Sequence, residues 1–161
     1  MSRVGRGALE LLAAAALILA GNAYLTRHAA DGRAPPLARA SLNGHVPPIA
    51  AGRVLLVDFF ATWCPVCRAD QGAVQAVARH APVVVVATQS PAAAVRAFAA
   101  DHHWRTPVIL DRHGRIAHRY GVRVLPMAFI LGPRGRIRFV AAGYMTEAGL
   151  LTRLWLARLH L

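Results

Sequence analysis

Apolar positions along the chain fall into short solid runs separated by amphipathic stretches, the pattern of buried strands alternating with surface helices. The run 54–60, Val-Leu-Leu-Val-Asp-Phe-Phe, is interrupted only by Asp58 and predicts a buried strand. A helix is expected from Pro65 or Val66 to about His80. Pro82 then breaks the chain, and Val83 to Ala87 form a second buried strand. Ser90 as N-cap and Pro91 at the first helical position open a helix reaching about Asp101. Val108 to Leu110 make a third strand, and a helical turn covers about Arg115 to Tyr120. Met127 to Leu131 and Arg136 to Val140 are the arms of a hairpin around Gly132-Pro133-Arg134-Gly135, with Arg136 and Arg138 alternating with Ile137 and Phe139. Thr146 caps a last helix whose apolar face uses Leu150, Leu151, Leu154, Trp155 and Ala157. The order strand-helix-strand-helix-strand, then hairpin, then helix, predicts an α/β fold. Its parallel βαβ pairing is extended by an antiparallel edge into a mixed β-sheet with helices on both faces.

Upstream the pattern changes. Residues 26–52 are rich in Ala, Gly, Arg and Pro without a long period, and read as a linker with a short extended lead-in and a turn at Asn43-Gly44. Ahead of them Arg3 and Arg6 precede an apolar run from Gly7 to Leu25, broken by Glu10 and Asn22. At about 19 residues the run just reaches spanning length. Three readings apply. A signal-anchor membrane helix is preferred, with its Arg-bearing start on the cytoplasmic side. A cleaved signal peptide is the second, because Gly21-Asn22-Ala23 offers small residues to a peptidase. A buried core helix is the third, and the position behind a short Arg-bearing segment argues against it. Under either of the first two, the remainder of the chain is exported. The expected organisation is therefore 1–25 anchor or signal, 26–52 linker and lead-in, and 53–161 the folded domain.

Composition narrows the class. A length of 161 residues fits one compact domain, and 56% hydrophobic content excludes intrinsic disorder. Two cysteines exclude a disulfide-stapled scaffold. The net charge of +12 comes from arginine alone, and removing residues 1–25 leaves it almost unchanged. Most arginines are scattered, with denser groups only at Arg112, Arg115, Arg119, Arg123 and at Arg134, Arg136, Arg138. A nucleic-acid footprint should cluster, so no nucleic-acid partner is expected.

Both cysteines lie in Trp63-Cys64-Pro65-Val66-Cys67, directly after a strand and at the start of a helix. Free N–H groups and the positive end of the helix dipole stabilise a thiolate there, so Cys64 is a candidate nucleophile. Cys67, one turn on, is near enough to close a small disulfide ring. Pro65 suits the first turn, where its missing N–H costs nothing. Competing readings are a buried structural pair, an inert disulfide and a metal site. Structural zinc needs four ligands and there is no second cysteine pair. Copper held with help from His102, His103 or Met127 stays open as an alternative, and no metal site is assigned. Asp58 stands inside an apolar strand, where burial would raise its pKa and let it exchange a proton with Cys67. Pro126, at a strand start after a loop, is compatible with a cis bond that bends the loop toward the cysteines. His80, His113 and His118 read as exposed polar residues.

The stretch Val57-Asp58-Phe59-Phe60-Ala61-Thr62-Trp63-Cys64-Pro65-Val66-Cys67-Arg68 resembles the active-site strand and helix start of the thioredoxin superfamily. Tyr120-Gly121-Val122-Arg123-Val124-Leu125-Pro126 resembles that superfamily's cis-proline loop, and residues 130–137 its terminal hairpin. Within it the chain is similar to membrane-anchored periplasmic proteins of the TlpA/ResA type. Cys-Pro-Val-Cys and the ending from Gly143 to Ala157 resemble the disulfide oxidoreductase branch called suppressor for copper sensitivity protein D.

The resemblance implies a thioredoxin-like fold and a protein thiol-disulfide oxidoreductase, with Cys64 attacking, Cys67 resolving and Asp58 as buried acid. Trp63, Pro65, Val66, Leu125 and Pro126 would meet the substrate. The redox-active Cys64–Cys67 disulfide itself would serve in place of any cofactor. It further implies a monomer held to the bacterial inner membrane by a single pass, with its domain in the periplasm. Its partners would be protein thiols and disulfides and a membrane electron donor or acceptor of the DsbD type. Val124 and Leu125 depart from the usual Gly and Thr, and Met127 stands where cytochrome c maturation members carry an acid.

Overall fold

In the computed structural model, residues 3–159 are described. The elements in chain order are α1 (Arg3–Thr26), β1 (Leu55–Phe60), α2 (Pro65–Val77), β2 (Val83–Thr88), α3 (Ala92–Asp101), β3 (Val108–Asp111), α4 (Arg115–Arg119), β4 (Met127–Leu131), β5 (Ile137–Ala142) and α5 (Glu147–Leu159). The strands form one sheet ordered β3-β2-β1-β4-β5. β1 pairs parallel with β2 and antiparallel with β4, so Asp58 faces Val85 on one side and Ala128 on the other. β2 pairs parallel with β3, and β4 antiparallel with β5. This is the mixed sheet that the order of apolar runs predicts.

Alternation along β1 divides the core. Leu56 and Phe60 pack with Val74 and Val77 of α2, Val95 of α3, and Leu150, Leu154 and Ala157 of α5. Leu55, Val57 and Phe59 point the other way, toward Ile116 and Ala117 of α4, Tyr120 and Phe129. All six β1 residues are buried, as a strand covered on both faces must be. Every side chain that β1 sends toward α2 therefore arrives in the layer that holds the cysteines.

Several local expectations are corrected. α2 stops at Val77 rather than about His80, and the Arg79 and His80 amides make short turn bonds back to Ala76 and Val77. Ser90 does not cap α3. Its hydroxyl donates to the Thr88 carbonyl and accepts from the Thr62 amide, tying the β2 end to the segment before Cys64, while Pro91 takes the N-cap position. Trp155 is exposed, so the apolar face of α5 is narrower than its hydrophobic residues suggest. Thr146 does cap α5, accepting the Gly149 amide at 3.2 Å.

The lead-in packs mainly on the α4 side of the sheet, while Leu42 meets the layer of α2 and α5. Ala34 and Val46 are buried on the α4 side, the Tyr120 hydroxyl donates to the Pro35 carbonyl, and the Ala34 amide bonds to Gly135. α1 is joined to the domain by Asn22, whose side-chain amide donates to the Val140 carbonyl and accepts from the Ala142 amide. One asparagine thus satisfies backbone groups on the free edge of β5, as a neighbouring strand would. No helix among the described residues is long and apolar enough to cross a membrane. α1 has 24 residues, yet Glu10 and Asn22 dilute its apolar run.

Gly121 begins the loop to β4 with φ +68°, and a Cβ there would collide with the His28 carbonyl oxygen. Gly121→Ala is expected to lower stability by about 1–3 kcal/mol, read as a drop in the urea or thermal midpoint. An unchanged midpoint would contradict this packing of the lead-in against the loop.

Candidate active site

The site is assembled where β1 runs into α2. The Cys64 amide bonds to the Ala61 carbonyl at 3.2 Å, turning the chain at the strand end. Cys64 then occupies the N-cap in extended conformation, φ −90° and ψ 111°. Its sulfur accepts the Cys67 amide at 3.2 Å, one of the orphan donors of the first helical turn. Pro65 comes next, in the first turn, where no donor is needed. Cys64 and Cys67 form a disulfide, with Cα atoms 5.3 Å apart. The two sulfurs are not equivalent: Cys64 keeps 6% exposure and Cys67 has none. Attack from outside can therefore reach only Cys64.

Beside Cys64 runs an open groove of about 1020 Å³. One end is formed by Trp63, Cys64 and Pro65, and the far wall by α4 and the loop that carries Val124 and Leu125. The Trp63 indole donates to the Gln89 carbonyl at 2.9 Å and is otherwise exposed. Val66 is exposed on α2 outside the groove lining. The Leu125–Pro126 peptide bond is cis. Pro126 itself is buried, and its carbonyl accepts the Gly143 amide at 3.0 Å. Of the sequence candidates, the structure brings Trp63, Cys64, Pro65 and Leu125 to one groove, buries Pro126 next to Leu125, and leaves Val66 outside its lining. His113 and His118, read as merely exposed, line the groove too.

Below the cysteines lies a buried polar cluster. Cys67, Asp70, Gln71 and Val74 make the inward stripe of α2 at helical spacing. Gln71 Nε2 donates to Asp58 Oδ2 at 2.8 Å, which fixes the Asp58 carboxyl under the helix face that carries Cys67. Asp58 Oδ1 and Gln71 Oε1 are buried with no hydrogen-bond partner among the described residues, and the buried Asp70 carboxylate has no side-chain partner there. Desolvation raises the Asp58 pKa to about 7, against a smaller lowering by Gln71. Desolvation first, and the Asp58 charge second, raise Asp70 to about 8, against a smaller lowering by the backbone amides of Met145 and of Asp70 itself. Asp70 and Gln71 escape a reading of the sequence by motif. Their only signal is that they stand three and four residues after Cys67, on its helix face.

Met127 belongs to the opposite face of the sheet, packed with Phe59 and Tyr120, so it cannot join the cysteines on a metal. The His102 ring stacks on Phe98 at 4.0 Å, with Nδ1 2.9 Å from the Phe98 carbonyl. Among the described residues no group of three or more His, Cys, Asp and Glu side chains is placed to hold a metal ion.

Residues 46–140 match the model of the AhpC/TSA family. A thiol:disulfide interchange protein DsbE homolog of Paracoccus denitrificans is 33% identical over 115 residues, 68% of this chain and 64% of that protein, so the match spans slightly under two thirds of its length. The thiol-disulfide oxidoreductase ResA of Geobacillus kaustophilus is 24% identical over 148 residues, covering 86% of this chain and 85% of that one. Among solved structures, one assigned as thiol:disulfide interchange protein DsbE from Chlorobium tepidum superposes with a TM-score of 0.71 at 25% identity. It covers 80% of this chain and 98% of its own.

Both buried carboxyls hold their protons more tightly in the folded chain than in the unfolded one, whose reference value is 3.8. The folded state therefore binds more protons between that value and about 8, and stability falls as pH rises through this window. The thermal midpoint should decline from pH 5 to pH 8.5, and Asp70→Asn should flatten the decline. A wild-type midpoint that rises over this range would contradict the burial of uncompensated acids.

Proposed function

The chain belongs to the AhpC/TSA family, and from that premise we propose that it is a protein thiol-disulfide oxidoreductase working through Cys64 and Cys67. The observation that carries the reading is the unequal pair: a reachable sulfur at the N-cap of α2, bonded to one fully enclosed a turn below. In the reducing direction the Cys64 thiolate attacks one sulfur of a substrate disulfide. The S–S bond breaks, the other substrate sulfur leaves as a thiolate, and a mixed disulfide forms. Cys67 then gives up its proton and attacks Cys64 Sγ, releasing the second substrate thiol. Two electrons pass from the pair to the substrate, and two protons end on the substrate thiols. The oxidising direction reverses each step.

Asp58 and Asp70 supply a place for the Cys67 proton. Their values near 7 and 8 let either carboxyl change protonation around neutral pH, which an exposed acid does not do. Trp63, Pro65 and Leu125 frame the approach to Cys64, and Pro126 holds the Leu125 end of the loop. The pair itself is the redox group, no cofactor takes part, and the protein works as a monomer. Re-reduction falls to a membrane dithiol carrier of the DsbD type.

The reading extends to a domain on the periplasmic side of a bacterial inner membrane. What supports this is α1, which carries Arg3 and Arg6 at its start and leaves Leu12, Leu17, Ile18 and Leu19 all more than two thirds exposed. So many uncovered apolar side chains on one helix call for a lipid environment.

Two experiments test the reading. The reduced protein should reduce insulin disulfides, Cys64→Ser should fall to the uncatalysed rate, and Cys67→Ser should accumulate a mixed disulfide with substrate. Full activity in Cys64→Ser would overturn the mechanism. In membrane fractionation the full chain should sediment with the bilayer, and Leu17→Glu with Ile18→Glu should release it. Release of the unaltered chain would overturn the anchor.

A further inference from the structure

The groove beside Cys64 is cationic along one whole side. Arg115 and Arg119 on α4, Arg123 on the loop, and His113 and His118 line it, all five are exposed, and no lining residue is acidic. None of these arginines has a carboxylate partner: among the described residues the one ion pair is Arg79–Glu147, away from the groove. The nearest acid in sequence, Asp111, is buried and turned inward, where it accepts the Ile116 and Ala117 amides at 3.1 and 2.9 Å. Arg115 and Arg119 are four residues apart on one helix, a spacing at which like charges repel. No acidic side chain lines the groove to neutralise this wall.

The loop side of the same groove offers backbone. The Pro126 carbonyl is taken by Gly143, but no hydrogen bond within the described residues engages the amide or carbonyl of Val124 or Leu125. An extended chain laid along this loop can pair with those groups while presenting a sulfur to Cys64. Its side chains on the α4 side then meet the arginines.

We propose that the groove selects protein disulfides flanked by acidic residues, bound as an extended segment between the Val124–Leu125 backbone and the Arg115–Arg119–Arg123 wall. This rests on the thiol-disulfide reading and specifies its substrate class. Opposite charges brought together at the rim of a docking site act on the association rate and on partner choice more than on intrinsic affinity. The selectivity should therefore weaken with salt, whose screening length is about 8 Å at 0.15 M.

The test uses the reduced full chain and three peptides with the same intramolecular disulfide, flanked by Glu and Asp, by Gln and Asn, or by Lys and Arg. Single-turnover rate constants are followed by tryptophan fluorescence, since Trp63 adjoins Cys64. The acidic peptide should react about tenfold faster than the neutral one at low salt, and the basic one more slowly than either. The acidic-to-neutral ratio should approach one in Arg115→Glu/Arg119→Glu/Arg123→Glu. It should persist in Arg53→Glu/Arg105→Glu/Arg134→Glu, which changes the net charge equally away from the groove.

Equal rates for acidic and neutral peptides in the wild type would overturn the selectivity while leaving the oxidoreductase reading intact. So would an equal loss of the ratio in both variants, which would assign the effect to overall charge. Absence of exchange with every peptide would overturn the oxidoreductase reading, and the selectivity with it.

Discussion

The amide of Cys67 donates to the sulfur of Cys64 across the first turn of α2, at 3.2 Å. A helix must satisfy its first N–H groups from outside its own ladder, and here a sulfur does what a Ser or Asp oxygen usually does. That substitution locates the chemistry. It requires Cys64 to sit at the end of a strand with the chain turned by the Ala61 bond, Pro65 to enter the helix without a donor, and β1 to be rigid enough to hold the junction. β1 meets the last condition by being central in the sheet, paired on both sides and buried at all six positions.

Under the same turn the fold accepts groups that weaken it. Two carboxyls and an amide lie within a largely apolar layer, and Asp58 Oδ1 and Gln71 Oε1 find no hydrogen-bond partner among the described residues. Such atoms are costly, and a well-optimised core excludes them. Their concentration beneath the Cys64–Cys67 disulfide, on the inward stripe of the helix that bears it, is a local conflict in an otherwise apolar layer.

The sheet is legible in the sequence because its strands are solid apolar runs, and a run such as 83–87 has few alternatives to a buried strand. The cysteine pair is legible because strand, Cys-Pro-Val-Cys and helix agree, and Pro126 because a proline stands just ahead of a strand. What escapes notice depends on contacts between distant segments. Asp70 and Gln71 resemble solvent-facing helix residues until Asp58, thirteen residues before Gln71, is seen to bond to it. His113 and His118 are exposed as expected, but their meaning comes from a groove closed by the 121–125 loop. Ser90 stands where a cap belongs and instead bridges to Thr62, twenty-eight residues away. The lead-in has no periodicity because it packs by single residues, Ala34 and Val46, rather than by a face.

The two cysteines are held in unequal positions, Cys64 within reach of solvent and Cys67 enclosed. Brief iodoacetamide labelling of the reduced, native protein, followed by peptide mapping, tests this most directly. Label should appear on Cys64 at least about tenfold faster than on Cys67, in keeping with the control of thiol reactivity by access and thiolate character. Equal labelling of the two, or faster labelling of Cys67, would contradict the account.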